Sequence, residues 1–315
     1  MRRNLVIVRA GDSSLHPNWL PTSGERSWDL IVSYFGDDPD RFRVPDVTRI
    51  DGKGPKWQGL HAVLTANIDL VRQYDYIWLP DDDIACRSED IDALFAAMRR
   101  HNLLLGQPAL SPKSHFSWCI TLRNPMTRLR WTNFVETMVP CFQRNLLIRC
   151  LPMLARYVSG WGLDWVWPQA AGGDGKAAII DTVAVTHTRP FGGPNYKFLE
   201  ERGLSGLGEF ADVTRTYGIK DHVSRISAIL TRGGLRLPAS SWPAPWLLRI
   251  GYRLTILAAY VSRNPQRWEL DKRLHQHFAD PANLADHAGL LSRALSDATR
   301  PQADRMKGGT EENAS

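Results

Sequence analysis

The stretch "YIWLPDDDIACRSED", residues 76–90, decides how the chain is read. An apolar run ends at a proline, and Asp81, Asp82 and Asp83 follow directly. Two like charges about 4 Å apart repel by roughly 4 kcal/mol at an effective dielectric near 20. Three in succession at the end of a buried strand therefore need a compensating partner. In an extended segment residues i and i+2 point the same way, so Asp81 and Asp83 can converge on one cation while Asp82 faces elsewhere. Hard cations such as Mg2+ and Mn2+ take carboxylate oxygens and complete their shell with substrate phosphates. The competing reading is a solvated acidic loop ahead of a helix.

Working outward, Ser88 is the expected N-cap of a helix over 89–100, with Glu89 and Asp90 at its positive end. Ile91, Leu94, Phe95 and Met98 recur at i, i+3, i+4 and i+7 and predict its buried face. Upstream, "NLVIV" (4–8) and "WDLIVSYFG" (28–36) read as strands, with a turn at Gly11, Asp12 and Ser13. "KWQGLHAVLTANIDLV" (56–71) has helical spacing and follows Pro55, well placed for a first turn. Downstream, "LLLG" (103–106) and "FSWCITL" (116–122) read as strands. Residues 134–158 read as a strand and then an amphipathic helix. A Gly-rich turn at 172–175 precedes a strand in 178–193 that ends at His187. Strands alternating with helices imply an α/β fold with a mostly parallel sheet, which places ligands outside the carboxyl ends of its strands. The acidic triplet lies at such an end. Beyond about residue 200 the pattern turns helical and basic, and 301–315 reads as a polar disordered tail. The expected organisation is a catalytic domain over 1–200, a helical extension over 201–300 and that tail.

Composition narrows the function. The 315 residues carry a formal charge of +6, twelve tryptophans and four cysteines. A mildly basic chain suits anionic partners. Its basic residues are spread along the sequence, so nucleic acid is not an expected partner. Cys86, Cys119, Cys141 and Cys150 have neither CxxC nor zinc spacing and read as reduced thiols of a cytoplasmic protein. The apolar stretch after Arg2 and Arg3 is too short for a signal peptide. "AAGGDGKAA" lacks the first Gly and the Ser/Thr of a phosphate-binding P-loop. Residues 242–263 are apolar with interspersed Trp and Arg. They read either as a helix packed on the catalytic domain or as one lying on the inner face of a membrane.

Two further pieces bear on chemistry. His187 ends an apolar strand, where a neutral imidazole can complete a metal shell. "GWGLDW" (160–165) combines two glycines with Trp161 and Trp165, flat faces suited to a sugar ring. Its Asp164 sits in an apolar neighbourhood that favours a raised pKa and a general-base role.

Taken in order, these pieces resemble metal-dependent glycosyltransferases of the GT-A fold: Asp81-Asp82-Asp83 as the DxD motif, "GWGLD" as the Gly-rich loop and acid, His187 as the late metal ligand. More closely, "KW" (56–57), "YDYIWLPDDDI" (74–84), "GQPAL" (106–110), "VETMVPCF" (135–142), "GWGLDW" and "IIDTVAVTHTRP" (179–190) are similar to a family of unknown function found in plants and bacteria. That family is often mislabelled as related to lysine-ketoglutarate reductase trans-splicing. The resemblance implies a GT-A-like nucleotide-diphospho-sugar transferase fold. It implies Mn2+ or Mg2+ on Asp81, Asp83 and His187, a donor pocket including Arg9, Asp37, Lys56, Asp81 and Asp82, and Asp164 as an inverting base. Trp161 and Trp165 would hold a glycan or lipid-linked acceptor, with a UDP-sugar as the expected donor. One departure is Leu163, which stands where the usual acid pair has its first member. The alternatives are a non-catalytic carbohydrate-binding protein and another metal-dependent enzyme acting on phosphates.

Overall fold

The computed structural model describes residues 2–173, 175–190, 198–199, 201–220 and 222–284. Its centre is a twelve-stranded mixed sheet. β1 (Asn4–Ala10) is buried along its whole length and pairs in parallel with β2 (Trp28–Tyr34) on one side. On the other side it pairs in parallel with β4 (Tyr76–Trp78). β3 (Thr48–Asp51), a short and mostly polar strand, closes this edge parallel to β2. Continuous aliphatic runs such as Leu5–Val8 are what a parallel strand covered on both faces requires.

The rest of the sheet departs from the mostly parallel expectation. β8 (Cys141–Gln143) lies antiparallel between β4 and β6 (Leu105–Leu110). β6 is parallel to β9 (Ala177–His187), whereas β7 (Thr127–Thr132) is antiparallel to β9. β10 (Ser224–Thr231) then pairs antiparallel with β7, and β11 (Arg236–Pro238) with β10. The architecture is thus α/β, consistent with a Rossmann-like arrangement, on a mixed sheet. The region beyond residue 200 is also not purely helical. It supplies β10 and β11 to the central sheet, and β12 (Asn283–Leu284) pairs with β10. The tail expected over 301–315 lies outside the described residues.

Helices flank the sheet. α1 (Lys56–Ala66) and the single turn α2 (Ile68–Val71) divide the expected helix 56–71 at Asn67. α3 (Ser88–Arg100) buries Ile91, Leu94, Phe95 and Met98 as the periodicity requires. Its cap lies one residue earlier than expected, with the Asp90 carboxylate accepting the Arg87 backbone N–H at 3.0 Å. α4 (Arg144–Arg156) follows β8, and α5 (Leu163–Ala170) follows the Gly-rich loop. α6 (Gly206–Tyr217), α7 (Ala244–Val261) and α8 (Arg267–Gln276) complete the set among the described residues.

Residues 116–122, expected to be a strand, form a 3-10 turn at Cys119–Thr121. The cause is a buried cation. Arg130 donates to the carbonyls of Ile120 and Leu122, each at 2.7 Å, and bends the segment around its guanidinium. Arg130 also forks onto Asp181, both oxygens at 2.8 Å, with both side chains fully buried. Asp181 additionally accepts from Asn124 N and Thr127 Oγ1. The network ties β7, β9 and the turn together.

Candidate metal centre

β4 stops at Trp78, and the chain runs on beside residues 138–140. Leu79 N–H donates to Pro140 O and Asp81 N–H to Met138 O. The triplet then leads into β5 (Ile84–Ala85), which pairs antiparallel with the end of β9 in the register Ile84 to His187. Thr188 donates to the Asp83 carbonyl from both its N–H and its hydroxyl. This two-residue ladder is what brings His187 to the acidic triplet from a hundred residues away.

Asp81, Asp83 and His187 converge, each offering one ligand atom, with all three atoms within 4.8 Å of one another. His187 Nε2 stands 3.1 Å from Asp83 Oδ2. The other ring nitrogen, Nδ1, lies 3.0 Å from the His115 carbonyl. A carbonyl only accepts, so Nδ1 carries the proton and Nε2 faces the carboxylates, the orientation a metal-ligating imidazole needs. Asp83 is buried, and its Oδ1 has no hydrogen-bond partner. A buried carboxylate oxygen left unmatched costs free energy that a cation at this point recovers. The donor set therefore fits a divalent ion.

Charges around the centre are matched from the protein side. Lys56 begins α1, is buried, and reaches Asp81 Oδ1 at 2.5 Å and the Thr137 carbonyl at 2.8 Å. Burial pushes the Asp81 carboxyl above its usual range; Lys56 opposes this and the nearby Asp83 charge reinforces it. Burial lowers the His187 imidazole, but its hydrogen bond to Asp83 and the charges of Asp83 and Asp81 outweigh that, and the net shift is upward.

Asp82 and Asp83 lie in a turn rather than in the extended segment expected, and Asp82 stays outside the Asp81, Asp83 and His187 cluster and clamps a loop. Its Oδ2 accepts the Gly11 N–H at 2.9 Å and its Oδ1 faces Arg189 at 3.3 Å. Burial raises it to about 6, against the Gly11 hydrogen bond and the Arg189 charge. These contacts tie the triplet to the Gly11 turn after β1 and to the segment after β9.

Asp164 opens α5 and is buried; its Oδ1 accepts the Thr137 N–H at 2.7 Å. Thr137 thus joins the two halves of the site, its N–H on Asp164 and its carbonyl on Lys56. Burial pushes Asp164 up to about 7, although the Thr137 N–H pulls it down. Next to Thr137, Glu136 is a second buried carboxyl that the sequence reading left unassigned. Burial raises it to about 8, with the Asp164 charge adding to the shift. Its Oε2 is buried without a partner. The signal was present in the sequence: a lone acid within the otherwise apolar "FVETMVPCF" (134–142).

The remaining expected residues are more dispersed. Arg9 lies at the end of β1, buried, donating to Ser33 Oγ at 2.9 Å and Gly54 O at 2.8 Å. Asp37 is exposed beyond the end of β2 and pairs with Lys53 at 2.6 Å. Both stand at the same carboxyl-end edge of the parallel strands as the triplet. Trp165 is 3% exposed and enclosed edge-on by Trp118, Phe134, Phe210 and His222. A stacking platform needs an open face, so Trp165 is a core residue here. Trp161 is half-buried, against Gly206 at the start of α6. The two glycines serve packing. A Cβ on Gly160 would lie 2.3 Å from Trp57 Nε1, and Gly162, at φ +92°, would strike Val213 of α6 at 2.9 Å.

Residues 56–194 match a family described as a protein of unknown function, DUF707. That span contains Lys56, the triplet, Glu136, Asp164 and His187, and excludes Arg9 and Asp37. No curated protein matches the chain.

Proposed function

We propose that this chain is a metal-dependent glycosyltransferase that takes a nucleotide-diphospho-sugar as donor and a glycan or lipid-linked hydroxyl as acceptor. The observation that carries the reading is the convergence of Asp81, Asp83 and His187 on one point, with a buried Asp83 oxygen unmatched, at the carboxyl end of a parallel strand. Ligands of open α/β sheets bind at that edge. Asp81, Asp83 and His187 would hold Mn2+ or Mg2+, and the bound ion supplies positive charge to a diphosphate leaving group.

The protein's own groups do the rest. His115 fixes the imidazole through its carbonyl. Lys56 adds a further cation beside Asp81, suited to a phosphate oxygen. Asp164, raised to about 7, is poised to accept the acceptor hydroxyl's proton near neutral pH. A base acting opposite the leaving group gives inversion at the anomeric carbon. Arg9 and Asp37 border the same edge and extend the donor pocket toward the nucleoside, with a UDP-sugar as the first donor to try. Trp161 is the acceptor platform of this reading.

The test is calorimetric titration of UDP-sugars in the presence and absence of Mn2+, followed by a transfer assay with sugar acceptors. Metal-dependent donor binding in the parent, lost in Asp83→Ala with the fold retained, is the expected result. Donor binding indifferent to EDTA would overturn it. Nucleotide release that needs no sugar acceptor would favour a phosphohydrolase, and binding without any turnover a carbohydrate-binding protein.

A further inference from the structure

α7 is apolar on both sides. Its inner face, with Leu248, Gly251, Tyr252, Thr255, Ile256 and Ala259, is buried. Three hydrogen bonds fix it there. Thr255 Oγ1 donates to Arg123 O at 2.7 Å, Asn124 Nδ2 to Leu248 O at 3.2 Å, and Tyr252 OH to Pro281 O at 2.8 Å. The helix is therefore seated on the body of the protein, as one of the two sequence readings of 242–263 expected.

The outer face is the unusual one. Trp246 is 55% exposed, Leu254 42%, Leu257 59% and Val261 77%. At 100° per residue these four and Ile250 fall within an arc of about 80°. Trp242, 86% exposed, stands just before the helix. Beyond its end, Trp268 is 66% exposed and edge-on to Tyr260 with ring centroids 5.0 Å apart. Among the described residues nothing covers this stripe. A helix apolar all round is ordinarily buried or in contact with lipid.

Charge identifies the occupant. α7 carries Arg249 and Arg253 and no aspartate or glutamate, and Glu269 and Asp271 come only in α8, past Trp268. Arg253 lies on the exposed face itself, and Arg263 just past its end is also exposed. No helix among the described residues is long and apolar enough to cross a membrane. Exposed tryptophans at both ends of an apolar stripe, with Arg253 and Arg263 along it and acids only at its far end, at Glu269 and at Asp271 bonded to Tyr260, match a surface lying in the headgroup region.

We propose that the outer face of α7, with Trp242 and Trp268, is a peripheral docking surface for an anionic lipid bilayer. Tryptophan and leucine side chains enter the acyl boundary, and the arginines meet lipid phosphates. This stands independently of the glycosyltransferase reading.

The test is co-sedimentation of the full chain with phosphatidylcholine vesicles, with and without phosphatidylglycerol. Anionic lipid is expected to raise binding by about tenfold or more. The double variant Trp246→Glu, Leu257→Glu should lose that binding with an unchanged circular-dichroism spectrum and melting temperature. Arg253→Glu should narrow the difference between the two vesicles while leaving the fold intact. No binding to anionic vesicles, or equal binding by the Trp246→Glu, Leu257→Glu variant, overturns the proposal. So does a lipid-free dimer that this variant dissociates, which would make the face a contact between copies.

Discussion

Glu136→Gln is the substitution whose outcome the structure specifies most closely. The amide keeps the size of the side chain and removes its ionisation. In the folded chain burial raises the Glu136 carboxyl from 4.5 to about 8, with Asp164 adding its repulsion. A carboxyl raised in this way keeps its proton at pH values where the unfolded chain has already lost it. The folded state then binds more protons, so stability falls as pH rises from about 4.5 to about 8. One such group contributes a slope of about 1.4 kcal/mol per pH unit, or about 5 kcal/mol across the window. The glutamine variant lacks that slope. Urea unfolding of parent and variant at pH 5, 6, 7 and 8, in EDTA, gives the stability difference at each pH. It should move in favour of the variant by about 1.4 kcal/mol per unit. The rise of Asp164 to about 7 acts on both proteins and largely cancels in the difference. A difference constant across these pH values would refute the reasoning and place Glu136 in a solvated or already ionised state.

Asp164→Asn should bind donor and metal about as well as the parent but transfer sugar about 10²–10⁴-fold more slowly, measured as product formed per enzyme at saturating donor. Lost donor binding would put Asp164 in the donor site instead. Lys56→Met removes the cation that competes at Asp81, so calorimetry should show tighter Mn2+ binding alone and weaker binding of a nucleoside diphosphate with Mn2+. Both changing in the same direction would contradict the role given to Lys56. Asp181→Ala leaves the fully buried Arg130 guanidinium without its partner, and chemical denaturation should show a loss of about 3–5 kcal/mol.

The parts of the fold that were legible in the sequence were those where burial alone decides structure. β1, β2 and α3 carry continuous or periodic apolar residues, and each appears within a residue or two of where the pattern put it. The errors fall where a distant partner overrides local preference. Residues 116–122 look like a strand until Arg130 takes two of their carbonyls. β3 is four residues long at the sheet edge, with no apolar run to betray it. The mixed order of strands is set by β8 arriving antiparallel between β4 and β6, a pairing no local pattern encodes. The candidate site shows the same division. Alternation along an extended segment pairs Asp81 with Asp83, and the two do converge. Asp82 and Asp83 lie in a turn between β4 and β5, however, so the convergence comes from that turn and the β5–β9 pairing rather than from strand alternation. The glycines of "GWGLDW" were read for ligand approach, yet they make room for Trp57 and Val213, which only the tertiary structure supplies.

The charge arrangement explains why so many acids can be held together without a bound ion. Asp81 is met by Lys56, Asp82 by Arg189 and the Gly11 N–H, and Asp83 by His187. Each carboxylate of the triplet has its own cation, brought from a different element: the start of α1, the segment after β9, and the end of β9. The repulsion within the triplet is therefore offset in the folded chain and not in the unfolded one. A divalent ion at Asp81, Asp83 and His187 would bring two positive charges beside Lys56. The centre would then hold more positive charge than its two carboxylates balance. A diphosphate restores the balance, and a neutral sugar alone does not. The same arithmetic that lets the acids coexist thus favours metal and phosphate binding together over metal binding alone.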